Sequence, residues 1–242
     1  PEDLAPYSRY SYGWDFTPGL SVTKKIGEVD SLTYTTAYTI HGRYHYNIED
    51  PDGFMKPGGE WINSLQWLHA GPKWQLLGIL GFGLHGKGME ESRLGSYHYR
   101  SGKDLSAALY YNKVLSRKQD LMFYFKYAYG GRMDYISQPI QNVDGETSTG
   151  QRFYGVEWQN KLSKKQTLRL MFNAMNATGN SYNPLTTQRV SARNRYGLTA
   201  GYDFNVSANT RFSFEWENYR LSEKAGAKYH GNNFYIVFNR NW

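Results

Sequence analysis

Leu121-Met122-Phe123-Tyr124-Phe125-Lys126-Tyr127-Ala128-Tyr129-Gly130-Gly131-Arg132-Met133 is the stretch that decides how this chain is read. Successive side chains of an extended strand point to opposite faces. Leu121, Phe123, Phe125, Tyr127 and Tyr129 therefore share one face, and Met122, Lys126, Gly130 and Arg132 share the other. One face suits lipid and the other suits water. A strand of a soluble sandwich also alternates, but its apolar face is usually aliphatic and its polar face looks outward. Here the two-residue period recurs along nearly the whole chain and brings aromatics to strand ends, which predicts the wall of a membrane-spanning barrel.

The composition agrees once lipid is taken as the solvent of one face. The chain has 242 residues, 17% of them aromatic, with 22 Tyr and 25 Gly, and its mean hydropathy is -0.70. No apolar run reaches the roughly 20 residues a transmembrane helix needs. The longest, Trp74 to Leu84, is interrupted by Gln75, Gly78, Gly81 and Gly83. A barrel strand needs only about 9–11 residues and hides polar groups in the lumen, so low hydropathy does not argue against a membrane. There is no cysteine, which removes disulfides, thiol nucleophiles and thiolate metal sites. The chain opens at Pro1 without a charged, apolar leader, as expected of a mature exported chain or a trimmed one.

Tight polar connections alternate with longer Gly/Asn/Ser-rich ones. The short ones lie near Gly27–Ser31, Gly71–Lys73, Ser116–Asp120, Ser163–Gln166 and Asn205–Thr210, and in this class short turns face the periplasm. The long ones, about Asn47–Gly59, Gly88–Gly102, Tyr135–Gly150, Ala177–Arg193 and Ser222–Gly231, then face outside. Between them strands are predicted near Leu32–Tyr46, Glu60–Ala70, Trp74–Lys87, Lys103–Val114, Leu121–Asp134, Gln151–Lys161, Thr167–Asn176, Asn194–Phe204, Arg211–Leu221 and Asn232–Trp242. The start reads either as one long strand or as two, Leu4–Phe16 and Gly19–Ile26, joined by a turn at Thr17-Pro18-Gly19. A single-chain barrel with both ends periplasmic has an even strand number, so the split is favoured. The fold class expected is all-β, a transmembrane antiparallel up-and-down barrel of about 12 strands, with 10 and 14 as neighbours. Residues 1–242 read as a single domain.

Phe234, Ile236, Phe238 and Trp242 fall on alternate positions, and the chain ends on an aromatic. This resembles the C-terminal signature of Gram-negative outer-membrane proteins, and the resemblance implies a bacterial outer-membrane location and folding by the barrel assembly machinery. Arg240 departs from it at a position that is usually apolar. Near the membrane edge such a charge costs only about 0–1 kcal/mol, because its head reaches the interface.

Function is sought on the face out of phase with the aromatics. On Leu32–Tyr46 it carries Thr33, Thr35, Ala37, Thr39, His41, Arg43 and His45. Later strands add Gln66, Gln75, His85, Lys87, Lys126, Arg132, Gln159, Arg169, Asn173, Arg195 and Arg211, against the acidic Glu157, Asp203, Glu215 and Glu217. That set predicts a wet lumen with a positive bias. Two readings compete. In one, arginines pair with carboxylates of adjacent strands, such as Arg211 or Arg195 with Glu215 or Asp203, and plug a narrow barrel. In the other, Arg43, Lys126, Arg132, Arg169, Arg195 and Arg211 form a ladder for anionic solutes, since guanidinium groups grip carboxylates and charged rings set pore selectivity. The formal net charge of +7 leans the same way, although basic loops also neutralise lipopolysaccharide phosphates.

A barrel of about 12 strands with a basic lumen resembles the small monomeric porins for acidic oligosaccharides, the oligogalacturonate and sialic-acid channels, in size, strand number and charge pattern. The ending Asn239-Arg240-Asn241-Trp242 differs from the Tyr-x-Phe-like ending common there. The resemblance implies passive, cofactor-free uptake of an anionic saccharide, arginines along the path, and tyrosines stacked on sugar rings. Tyr124, Tyr219 and Tyr235 are the lumen-facing candidates, while Tyr127 and Tyr129 belong to the outer girdle.

The main rival is an outer-membrane enzyme, a lipase, protease or lipid A-modifying barrel. A barrel phospholipase needs His-x-Ser with an Asn orienting the His; here His98-Tyr99-Arg100-Ser101 puts His and Ser on opposite faces. A barrel protease of the omptin kind needs two carboxylates and an Asp–His pair at the rim; Asp50, Asp52 and His45 come near, but Glu49-Asp50-Pro51-Asp52-Gly53 reads as a turn. His41 and His45 lie about 13 Å apart in a strand and cannot chelate one ion. Gly78, Gly81 and Gly83 lack the Lys-Ser/Thr that a phosphate loop requires and read as relief of crowding in a barrel wall. A third class, an export pore for an anionic polysaccharide, would use Arg100, Lys103, Arg189, Arg193, Lys224 and Lys228 as a rim. The expectation is a non-enzymatic diffusion channel for anionic solutes, a monomer in contact with lipid and lipopolysaccharide, with no cofactor, metal or nucleic acid.

Overall fold

Aromatic and β-branched residues at alternate positions, bounded by Gly, Asn and Ser, leave the backbone no lower-energy arrangement than an extended ladder in which lipid meets one face. The computed structural model describes residues 14–44, 53–92, 95–100, 102–131, 134–135, 149–179, 191–207 and 209–240. In chain order the strands are β1 (Asp15–Phe16), β2 (Gly19–Ile26), β3 (Asp30–His41), β4 (Phe54–Lys56), β5 (Glu60–Ala70), β6 (Trp74–His85), β7 (Lys87–Ser92), β8 (Gly95–Arg100), β9 (Asp104–Val114), β10 (Gln119–Gly130), β11 (Asp134–Tyr135), β12 (Thr149–Lys161), β13 (Gln166–Ala177), β14 (Arg193–Ser207), β15 (Thr210–Glu223) and β16 (Lys228–Arg240).

Twelve of them make one antiparallel sheet in the order β1-β3-β5-β6-β9-β10-β12-β13-β14-β15-β16, with β2 also on β3. Each strand pairs with the next along the wall, the up-and-down meander of a transmembrane barrel. The turn expected at Thr17-Pro18-Gly19 is not there. Phe16 pairs with Ile40 and Gly19 with Ala37 in unbroken register, so β1 and β2 lie end to end on one partner. Pro18 has no N–H to give the ladder, which interrupts the strand without reversing it; its carbonyl still accepts from the Tyr38 N–H at 3.0 Å. The edges of the described sheet, β2 and β16, run in the same direction. The expected strand at Leu4–Phe16 falls mostly outside the described residues.

The two faces are chemically opposite. On one stand Leu20, Tyr34, Trp61, Leu80, Leu109, Phe125, Phe172 and Phe214, all exposed. Phe234 is 78% and Ile236 73% exposed, whereas the buried apolar residues among those described are only Tyr99, Ala174 and Ala177. In water such a belt would cost about 25 cal/mol for each Å² left bare; in the hydrocarbon of a bilayer it costs nothing. On the other face the register aligns Thr33 with Gln66 and Thr35 with Ser64. Further round it aligns Tyr124 with Gly155, Gly155 with Asn173, and Gly197 with Tyr219.

The short connections, residues 27–29, 71–73, 115–118 and 162–165, join consecutive strands at one end of the wall. At the other end two expectations change. Ser222–Gly231 is not a long loop: β15 and β16 pair as far as Ser222 and Lys228, and Gly226, at φ 103, makes the reversal there. Strands that rise beyond the membrane no longer need apolar residues, so their tips read as loop. For the same reason Gly88–Gly102 holds a hairpin, β7 with β8, which joins β4 and β11 in a second, four-stranded sheet. Pieces of three long connections thus build one outer sheet. The wall strands expected to run to Tyr46 and Asp134 stop at His41 and Gly130.

Candidate functional site

The polar face is densest on β10 to β15. Arg169 on β13 points across β14, where Asp203 accepts from its Nε at 3.0 Å and from its Nη2 at 3.1 Å. Nη2 also donates to Glu215 on β15 at 2.5 Å. Arg211 closes the group, with its Nη2 2.9 Å from the same Asp203 carboxylate and its Nε donating to Ser213 at 3.1 Å. Asp203 is 6% exposed, so two guanidinium groups compensate one nearly buried carboxylate, as a buried charge requires.

Nearer the loop end, Arg195 donates through Nη2 to Glu217 at 2.5 Å and through Nη1 to Asn173 at 3.3 Å. Its guanidinium also lies 5.0 Å from the Tyr219 ring centre. The second Glu217 oxygen accepts from Asn233 at 3.0 Å. Glu157 accepts from Gln159 at 2.6 Å.

Lys126 differs from these arginines. Its Nζ sits 5.5 Å from the Tyr110 ring centre and 5.9 Å from that of Tyr124, and among the described residues it forms no ion pair. Tyr110, Met122, Tyr124, Lys126, Phe153 and Met171 line one recess of the wall. Gly155 makes room there: a Cβ at that position would lie 2.6 Å from both the Tyr124 hydroxyl and the Phe172 carbonyl oxygen. The Tyr124 ring therefore lies over bare backbone. The recess thus sets amphipathic rings beside an ammonium that has no ion-pair partner among the described residues.

The structure divides the residues singled out from the sequence. Arg169, Arg195 and Arg211 come together on adjacent strands, and Lys126 and Tyr124 share one recess, with Tyr219 and Tyr235 on the same face. His41 stands across the wall at the end of β3, its Nδ1 2.9 Å from Asp15. Arg43, past the end of that strand, packs its guanidinium 4.6 Å from the Phe54 ring centre of the outer sheet. Arg132, His45, Asp50, Asp52, Ser101 and Arg189 lie outside the described residues.

The predicted positive bias is corrected by the register. Five further carboxylates, Asp15, Glu60, Asp104, Asp120 and Glu223, share the polar face, as do the cations Lys25, Lys161 and Arg193. Acidic groups thus match the basic ones along the described wall. Most of these acids sit at strand ends, where sequence alternation gives way to turn chemistry. The arginines form paired clusters, not a continuous free ladder.

No family model matches the chain, and no curated protein sequence is significantly similar to it. Solved structures do match in shape. The outer-membrane expressed OmpT of Vibrio cholerae superposes with a TM-score of 0.51 at 9% identity over 93% of this chain and 89% of that one. The in-vitro folded form of the same outer-membrane protein gives 0.50 at 8% identity over the same shares. A looser likeness, TM-score 0.44 at 12% identity over 93% and 84%, is to the outer membrane channel DcaP of Acinetobacter baumannii. Identities this low speak for the fold alone. With the aromatic belt and the short-turn, long-loop asymmetry, that fold is a bacterial outer-membrane β-barrel.

Proposed function

We propose that the protein is a diffusion channel of the bacterial outer membrane for hydrophilic solutes, with a preference for anions and acidic oligosaccharides as the cargo. The observation that carries the channel reading is the face rich in polar and charged side chains, from Thr33, Thr35 and Gln66 round to Glu157, Arg169, Asn173, Arg195 and Glu217, set against an opposite face dominated by aromatic and aliphatic ones. A largely polar lining gives water and small solutes a path that the hydrocarbon outside denies them. The saccharide reading rests on the recess of Lys126, Tyr110 and Tyr124, where a ring can stack while its carboxylate meets an ammonium without an ion-pair partner among the described residues. The paired arginines hold the wall rigid and hydrated instead of binding cargo directly. No cofactor and no bond-breaking step enter this function, and the barrel works as a monomer.

Purified, refolded protein in a planar bilayer tests the reading. Steady single-channel conductance with an anion-selective reversal potential under a salt gradient is expected, with block by oligogalacturonate that weakens in Lys126→Gln. Silent bilayers from heat-modifiable, folded protein would overturn the channel. A cation-selective or saccharide-indifferent pore would retain the channel and remove the cargo.

A further inference from the structure

We propose a divalent-cation site at the loop-side rim of the wall, formed by Glu60, His85 and Asp104. Glu60 opens β5 and pairs directly with His85, which ends β6. Asp104 opens β9 opposite Gly83, two residues before His85 on the same face. Gly83 has no side chain to separate them, and a Cβ there would lie 3.3 Å from that of Asp104. The Asp104 carboxylate therefore reaches past it to the His85 Nε2, at 2.7 Å. One ligand atom from each of Glu60, His85 and Asp104 lies within 4.8 Å of the others.

The charge balance at this rim differs from that of the arginine clusters on β13 to β15. Asp203, Glu215 and Glu217 each face an arginine, whereas Glu60 and Asp104 face only an imidazole among the described residues. Two carboxylates this close repel each other, and a dication between them relieves that. One imidazole nitrogen with two carboxylate oxygens suits zinc or another first-row dication, with water completing the shell. Tetrahedral ligands at about 2.0–2.2 Å stand roughly 3.3–3.5 Å apart. The Asp104 carboxylate, 2.7 Å from His85 Nε2, is closer than that and turns outward to admit an ion, which its exposure allows, while Glu60 is half-buried beside it.

Isothermal titration of untagged, folded protein with Zn2+ tests the site. One saturable equivalent is expected, with affinity lowered by roughly tenfold or more in each of Glu60→Gln, His85→Asn and Asp104→Asn. His69→Asn, which alters a histidine at the opposite end of the wall, leaves the isotherm as it was. Heat-modifiable mobility on gels confirms that each variant is folded. Absence of saturable binding in the unaltered protein overturns the proposal, and so does full binding by folded His85→Asn or equal loss in His69→Asn. The outcome is independent of conductance, so it stands or falls apart from the channel.

Discussion

Arg169 pairs with two carboxylates, where Arg195 and Arg211 each pair with one among the described residues. It spans three strands, gripping Asp203 with two nitrogens and Glu215 with one of them. Its side chain is 19% exposed against 46% for Arg211, which shares the Asp203 carboxylate. Removing a partner from a nearly buried carboxylate costs more than removing one from a wet surface pair. Arg169→Met is therefore expected to lower stability by about 1–3 kcal/mol, and Arg211→Met by less, since Arg169 alone still satisfies both Asp203 oxygens. Urea unfolding of the protein in phospholipid vesicles measures both, and equal losses would show that the two arginines are equivalent.

A strand carries its information in parity. Phe125 and Ala128 both lie in β10, three residues apart and so on opposite faces. Phe125, 40% exposed, belongs to the lipid-facing belt, while Ala128 shares a face with Lys126. Phe125→Lys is expected to cost about 2–4 kcal/mol, because it puts a charge in the hydrocarbon. Ala128→Lys, facing water, should stay within about 0.5 kcal/mol of the unaltered protein. The same unfolding measurement separates them; similar costs would mean that the faces are assigned the wrong way round. Parity also makes β5, Glu60–Ala70, legible from sequence, together with the lumen side of Lys126, Tyr124 and Tyr219. It is silent where the membrane imposes no alternation. The hairpin of β7 and β8 is mostly polar, and the upper reach of β15 and β16 puts Arg220, Ser222, Lys228 and His230 on the side that faces lipid lower down, so their residues read as loop. Pairings such as Arg169 with Asp203, 34 residues apart, need the register of the strands between them. Glu60, His85 and Asp104 likewise meet only through the pairing of β5, β6 and β9.

The net charge of +7 is not carried by the wall, whose arginines are matched by carboxylates, so it acts from elsewhere on the molecule. The short-turn end of the barrel holds Lys73, Arg117, Lys118, Lys164 and Lys165, all exposed. A ring of that kind concentrates anions at the mouth, but only as far as salt allows: the screening length is about 10 Å at 0.1 M and about 3 Å at 1 M. Lys126 acts from inside, 5.5 and 5.9 Å from two aromatic ring centres, where it meets a solute by direct contact and not through a long-range field. The two origins of anion preference therefore differ in their response to ionic strength. Reversal potentials measured across the same fivefold gradient, first near 0.1 M and then near 1 M, should show a preference that falls steeply as salt rises. Replacing Arg117, Lys118, Lys164 and Lys165 by Gln should abolish the low-salt component and leave the residual high-salt preference, which Lys126→Gln then removes. A preference unchanged between the two salt ranges, and untouched by the four turn substitutions, would return selectivity to the wall.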